Sequence, residues 1–180
     1  MVARLSGRFT LRSGAVSDIY WDKYRFESDP VMLEAIVEQM LVLLPPAYDK
    51  LAGMELGGIP LATVLSLKTG RPCLYIRKKA KDYGTRNLVE GGFSAGERVV
   101  VIEDVITTAG QVCTLVKEMR ELGLEIRHVL CVIDRQEGGS ENLKGIGCEL
   151  APLFTLAELE VLADTPAPQN ETIESPPSHP

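Results

Sequence analysis

Val99-Val100-Val101-Ile102-Glu103-Asp104-Val105-Ile106-Thr107-Thr108-Ala109-Gly110 is the stretch on which the fold turns. Four consecutive β-branched residues predict a strand buried on both faces. Two carboxylates follow where that strand is expected to emerge. A small, hydroxyl-rich turn and a helical pattern come next. Open α/β sheets bind ligands at the carboxyl ends of their strands, beside the first turn of the following helix. The Thr107 and Thr108 hydroxyls and the backbone N–H groups of the turn suit a phosphate, and the helix N-terminus adds partial positive charge. Glu103 and Asp104 would repel a phosphate, but carboxylates accept hydrogen bonds from neighbouring sugar hydroxyls. Together they point to a sugar phosphate. The plain alternative is a buried strand ending in an ordinary acidic turn.

The segments around this stretch alternate between strand and helix. Downstream, Thr108 to Leu122 predicts a helix whose apolar face is Val112, Leu115, Val116, Met119 and Leu122, with Gly123 just past its end. Ile126 to Ile133 predicts a strand that delivers Asp134-Arg135-Gln136-Glu137-Gly138-Gly139 into a loop. Arg135 there suits a carboxylate or imide edge, or a plain ion pair with a nearby acid. Leu150 to Leu153 predicts a last strand, and Thr155-Leu156-Ala157-Glu158 a capping box that opens a short helix. Upstream, Asp29-Pro30 marks a helix start, and Pro45-Pro46 its stop. Lys50 to Met54 reads as a buried strand. Glu55-Leu56-Gly57-Gly58 is a glycine turn whose amides can approach a ligand, and Ile59 to Leu67 is a helix closed by Gly70. This order predicts a mostly parallel sheet with helices on both faces.

Pro72 to Ile76 predicts a strand that runs into Arg77-Lys78-Lys79-Ala80-Lys81-Asp82-Tyr83-Gly84-Thr85-Arg86. This basic run, in an acidic chain, continues as an irregular loop to Gly91-Gly92. It reads as a cationic lid for a pyrophosphate, the alternative being solvated surface. Near the start, residues 1–8 are too short for an element of their own. Phe9 to Gly14 and Ser17 to Asp22 read as a hairpin or two edge strands. Of the neighbouring aromatics Tyr20 and Trp21, one is expected in the core and the other on a planar ligand, or both in packing.

Composition excludes several classes. With 180 residues, 45% hydrophobic and 24% charged, the chain predicts one soluble domain with a proper core. A net charge of −6 disfavours a general nucleic-acid binder. The sequence has no apolar run long enough to span a membrane and no signal core at its start. The four cysteines lack metal spacing; Cys113 and Cys131 read as small core residues, and a reducing cytoplasm fits. Of two histidines one lies in the tail, so a Ser-His-Asp mechanism would rest on His128 alone. From Asp164 onward, Pro, Ser, Glu and Asn dominate, which predicts a disordered tail over 164–180 and a single domain over 1–163.

The acidic strand end and the Thr-Thr turn resemble the ribose-phosphate-binding motif of type I phosphoribosyltransferases. Three further blocks make the resemblance more specific: Phe9-Thr10-Leu11-Arg12-Ser13-Gly14, the run Arg77 to Thr85, and Asp134 to Gly139. Over about residues 9 to 160 the chain resembles orotate phosphoribosyltransferase, a family of dimeric, Mg²⁺-dependent enzymes of pyrimidine biosynthesis. The resemblance implies the type I fold, with a small hood built from about residues 1–25 and the C-terminal segment. It implies that Glu103 and Asp104 hold the ribose of phosphoribosyl pyrophosphate. Val105 and Ile106 would belong to the same phosphoribosyl pyrophosphate site, and the turn of Thr107, Thr108, Ala109, Gly110 and Gln111 would hold the 5-phosphate. Arg77, Lys78 and Lys81 would neutralise pyrophosphate beside Tyr83, in a loop reaching into the partner subunit. Thr107, Arg135, Tyr20 and Trp21 match orotate-binding positions, and Gly57 and Gly58 lie on the pyrophosphate side. Mg²⁺ would arrive on the substrate, with no direct protein ligand. Arg12 stands where Lys is common, Ala109 where many members have Gly, and no Lys is present at 55–58.

The expected reaction is a dissociative displacement in which orotate replaces pyrophosphate on the ribose, governed by positioning and electrostatics. A phosphoribosyltransferase for a purine or other base, or a ligand-sensing regulator with the same fold, are the alternatives.

Overall fold

The computed structural model describes residues 4–10, 16–21, 24–78 and 88–164. Strand β6 (Arg98–Ile106) lies at the centre of a six-stranded sheet among the described residues. The other strands are β3 (Lys50–Met54), β4 (Cys73–Ile76), β5 (Val89–Glu90), β7 (Glu125–Asp134) and β8 (Glu149–Thr155). Their order is β5-β4-β3-β6-β7-β8, parallel throughout except for the antiparallel β4–β5 pair. The expected mostly parallel sheet is thus present.

Two buried layers flank the sheet, because alternate residues of β6 face opposite sides. Val99 and Val101 face a layer that includes Val112, Leu115, Val116 and Met119 of helix α4 (Gly110–Glu121). Val100 and Ile102 face the other layer, with Val37 and Met40 of α2 (Pro30–Met40) and Leu61 and Leu65 of α3 (Gly58–Thr69). Helix α1 (Tyr24–Ser28) joins this second layer through Phe26.

Local signals fixed most ends. The Asp29 side chain accepts from the Val31 and Met32 N–H groups at 3.0 Å, capping α2 as its Asp-Pro start predicts. The helix passes into a 3₁₀ turn at Leu41–Leu43 before the two prolines. Gly70 closes α3 in the left-handed region at φ 67°. The Thr155–Glu158 box opens helix α6 (Leu156–Asp164), with Thr155 N–H donating to Glu158 Oε2 at 2.7 Å. Cys131 is fully buried in the layer under α4, and that burial pushes its thiol up, with Asp134 and Glu103 adding to the effect. Cys113 is half-buried against the core.

Four expectations need correction. Residues 4–8 do belong to an element: β1 (Arg4–Thr10) pairs antiparallel with β2 (Val16–Trp21) in a separate two-stranded sheet. Cross-strand pairing supplies the partners that so short a segment lacks alone. The irregular loop does not run on to Gly91-Gly92, because Val89–Glu90 folds back along β4 as β5. Glu103 and Asp104 do not follow the central strand; β6 carries both, and the ladder to β7 continues to Ile106 opposite Asp134. The glycine-rich segment after Asp134 contains helix α5 (Gly139–Gly145), and α1 was not read from the sequence. The tail at 165–180 lies outside the described residues.

One ion pair gives the fold an acid-sensitive point. Arg98 clamps Asp49 in a fork, Nε to Oδ2 at 3.0 Å and Nη2 to Oδ1 at 2.8 Å, and its backbone N–H adds a third bond at 2.9 Å. The guanidinium, then the N–H, holds the Asp49 carboxyl well below its ordinary value of 3.8. A carboxyl depressed on folding stabilises the native state above its unfolded value, and that stabilisation is lost as pH falls through the lowered one. The urea midpoint of Asp49→Asn should therefore fall less than the parent's between about pH 5 and about pH 2. Equal slopes would show that the clamp adds nothing.

Candidate active site

The site forms where β3, β6 and β7 end together. Asp104 is fully buried and Glu103 half-buried. Glu103 Oε1 accepts from the Asp104 N–H at 3.1 Å, and Asp104 Oδ1 accepts from the Val105 N–H at 2.6 Å. The second Asp104 oxygen faces the turn after β3. A Cβ on Gly57 would land on Asp104 Oδ2 and come 2.5 Å from Glu27 Oε1. The missing side chain at Gly57 therefore leaves room for two carboxyls to meet. At Gly58 the obstacle is backbone: its Cβ would collide with the Ile102 carbonyl oxygen and lie 3.3 Å from Glu103 Cα. Both glycines are needed for α3 to start against the central strand. The peptide bond between Glu55 and Leu56 is cis.

The turn expected to hold a phosphate follows β6 directly. Ile106 is buried in the core, and its carbonyl accepts from the Arg135 N–H at 2.9 Å, so its part in the site is through the backbone. Val105 is half-buried against the second layer. Thr107 is half-buried, whereas Thr108, Gly110 and Gln111 are exposed. Ala109 stands at the N-cap of α4 with φ 57° and ψ 14°, and supplies no side-chain cap. The first-turn N–H groups that such a cap would engage are left without a side-chain cap, which suits an anion. An alanine at positive φ carries a cost that glycine avoids.

The cationic side is described only where it begins. The Arg77 N–H donates to the Leu88 carbonyl at 3.0 Å, and the Lys78 N–H to Glu55 Oε2 at 3.0 Å. Glu55 thus ties the turn beside Gly57 to the base of the basic loop. Lys81 and Tyr83 lie outside the described residues, as does Arg12. Tyr20 and Trp21 end β2 opposite Leu5 and Arg4, and their side chains lie outside the description. Arg135 is exposed and pairs with Glu137 at 2.9 Å.

Sequence reading placed Glu103, Asp104, Gly57, Gly58, the turn at 107–111 and Arg135 at one sheet end, and the structure brings these together. It missed Glu27, Glu55 and Asn142. Glu27 lies on a five-residue helix without periodicity, and its neighbour Asp104 is 77 positions away in the chain, so no local pattern marks it. A divalent cation fits the donor chemistry: hard carboxylate oxygens collect at the end of β6, and Mg²⁺ favours one or two carboxylates with substrate phosphates. Among the described residues, no group of three His, Cys, Asp or Glu forms a cage for a metal. No helix among them is long and apolar enough to cross a membrane.

Comparison with known proteins agrees with this geometry. Residues 38–147 match the family model described as the phosphoribosyl transferase domain. An orotate phosphoribosyltransferase of a Nocardioides species is 49% identical over 166 residues, covering 92% of this chain and 93% of the relative. The crystal structure of orotate phosphoribosyltransferase from Aeropyrum pernix superposes with a TM-score of 0.81 at 33% identity, covering 89% of this chain and 93% of that one. The Mycobacterium tuberculosis orotate phosphoribosyltransferase in complex with 5-phospho-alpha-D-ribosyl 1-diphosphate superposes with a TM-score of 0.74 at 30% identity, covering 88% and 92%. Identity at this level runs through nearly the full length of both chains rather than through one motif, and the chain belongs to the orotate phosphoribosyltransferases, within the phosphoribosyl transferase domain family.

Proposed function

We propose that this chain transfers the phosphoribosyl group of phosphoribosyl pyrophosphate to orotate, giving orotidine 5′-monophosphate and pyrophosphate. One observation carries the reading. The half-buried Glu103, beside the buried Asp104, adjoins a helix start that has no side-chain cap, so a hydroxyl acceptor and phosphate donors stand side by side.

In this reading Glu103 and Asp104 accept hydrogen bonds from the ribose hydroxyls, and the N–H groups of residues 107–111 hold the 5-phosphate. Arg77, Lys78 and Lys81 neutralise the pyrophosphate as the bond from the anomeric carbon to its oxygen breaks, the electron pair leaving with pyrophosphate. A ring nitrogen of orotate, supplied as the anion with its proton already given up to solvent, then bonds to that carbon. Arg135 and Thr107 orient the orotate, with Tyr20 and Trp21 beside the ring. Mg²⁺ carried in on the substrate would supply further positive charge against its phosphates. With orotate supplied as the anion, the transfer step needs no general base, which suits a chain with two histidines and places the catalytic work on positioning and charge. The protein acts as a homodimer in the cytoplasm, each basic loop serving the partner's site.

The test is the loss of orotate absorbance when phosphoribosyl pyrophosphate and Mg²⁺ are added. Orotate is consumed on this reading; unchanged absorbance with pyrophosphate release toward adenine or another base would replace orotate as the acceptor. Lys81→Ala should lower turnover about 10²-fold or more with the urea midpoint unchanged. Full turnover in that variant would remove the loop from catalysis.

A further inference from the structure

Helix α5 begins at the last residue of the Asp134–Gly139 block, and it touches the phosphate turn at two points. Asn142 Nδ2 donates to the Thr108 carbonyl oxygen at 2.9 Å. Gly139 lies against the preceding peptide, where an added Cβ would press on Ile106 and come 2.6 Å from the Thr107 carbonyl oxygen. Two successive carbonyls of the turn therefore face α5.

The direction of those carbonyls fixes the direction of the donors. In a planar trans peptide the N–H points opposite to the C=O. Holding Thr107 O and Thr108 O toward α5 turns the Thr108 and Ala109 N–H groups the other way, out toward the mouth of the turn. Ala109 at φ 57° sits in the conformation in which successive N–H groups converge on an anion. Ala109 lacks the freedom of glycine, so this geometry has to be held from outside the turn. Asn142 is exposed, and its own N–H is already engaged by the Gly138 carbonyl at 3.1 Å within α5. Its side-chain amide is left to serve the turn.

We propose that Asn142 is a positioning residue for the 5-phosphate: by anchoring the Thr108 carbonyl it aims the Ala109 N–H at the phosphate. This rests on reading the turn at 107–111 as the phosphate cradle. It adds that α5 shapes that cradle without touching the ligand. Because α5 follows the Arg135 loop, the same brace joins the base side of the site to the phosphate side.

The test compares Asn142→Asp and Asn142→Ala with the parent by calorimetric binding of ribose 5-phosphate and of inorganic pyrophosphate. Steady-state kinetics in phosphoribosyl pyrophosphate accompany the binding. Aspartate keeps the volume and removes the donor, placing a charge against the Thr108 carbonyl. Both variants are expected to weaken ribose 5-phosphate about tenfold, consistent with about one aligned hydrogen bond to an anion. Pyrophosphate binding should stay within about twofold, with KM for phosphoribosyl pyrophosphate raised and kcat held. Parental affinity for ribose 5-phosphate in either variant overturns the proposal, as does equal weakening of both ligands. A parent that binds neither ligand refutes the phosphoribosyl reading itself, which is a separate result.

Discussion

Asp104→Asn should lower kcat/KM for phosphoribosyl pyrophosphate by about 10²–10³-fold while the protein still folds. The magnitude follows from the chemistry assigned to this carboxylate. A hydrogen bond from a ribose hydroxyl to a charged acceptor contributes about 1.5–3 kcal/mol, and misplacing the anomeric carbon costs more. An amide can still accept, but without charge, and it cannot balance the positive charge that builds on the sugar as pyrophosphate departs. Asparagine keeps the volume beside Gly57, so the packing of α1 and α3 on β6 is preserved. Urea unfolding separates the two effects. Unchanged kinetics in a folded Asp104→Asn protein would remove the carboxylate from the site.

Gly58→Ala should be among the most damaging single methyls at the described glycines. The added Cβ would meet the Ile102 carbonyl oxygen and the Glu103 backbone, and neither can rotate away. Helix α3 must then lift from the central strand, at a cost of about 3 kcal/mol or more. Because Ile102 and Glu103 lead directly to the acid pair, activity should fall with stability. Gly57→Ala should differ in kind. Its Cβ meets side-chain carboxyls, which can shift, so turnover should suffer more than the urea midpoint. A Gly58→Ala protein as stable as the parent would mean that β6 and α3 have slack the structure does not show.

Why these positions were legible, and others not, has a physical basis. The apolar run at 99–102 suits an interior strand and the Thr-Thr turn suits a helix start, so the presence of a strand feeding a phosphate turn was readable from local chemistry. The bounds of β6 were not. Carboxylates rarely occupy a central strand, and what keeps Glu103 and Asp104 there is the ladder to Cys131 and Ile133 on β7, a tertiary fact. Strand β5 is two residues long and owes its existence to Tyr75 and Ile76 beside it. Glu27 and Asn142 act on partners 77 and 34 positions away, through a gap at Gly57 and a carbonyl at Thr108. Neither a missing side chain's neighbours nor a carbonyl's direction is encoded in spacing. What the sequence carried well was chemistry at strand ends; what it hid was which helix braces that chemistry.

The central claim is where the sugar sits. A crystal structure of the complex with phosphoribosyl pyrophosphate and Mg²⁺ tests it most directly. The account predicts ribose hydroxyls within about 3 Å of the Glu103 and Asp104 carboxylates and the 5-phosphate on the N–H groups of residues 107–111, with Thr108 O still held by Asn142. A ribose bound away from the end of β6, or a phosphate that leaves those N–H groups facing solvent, would contradict it.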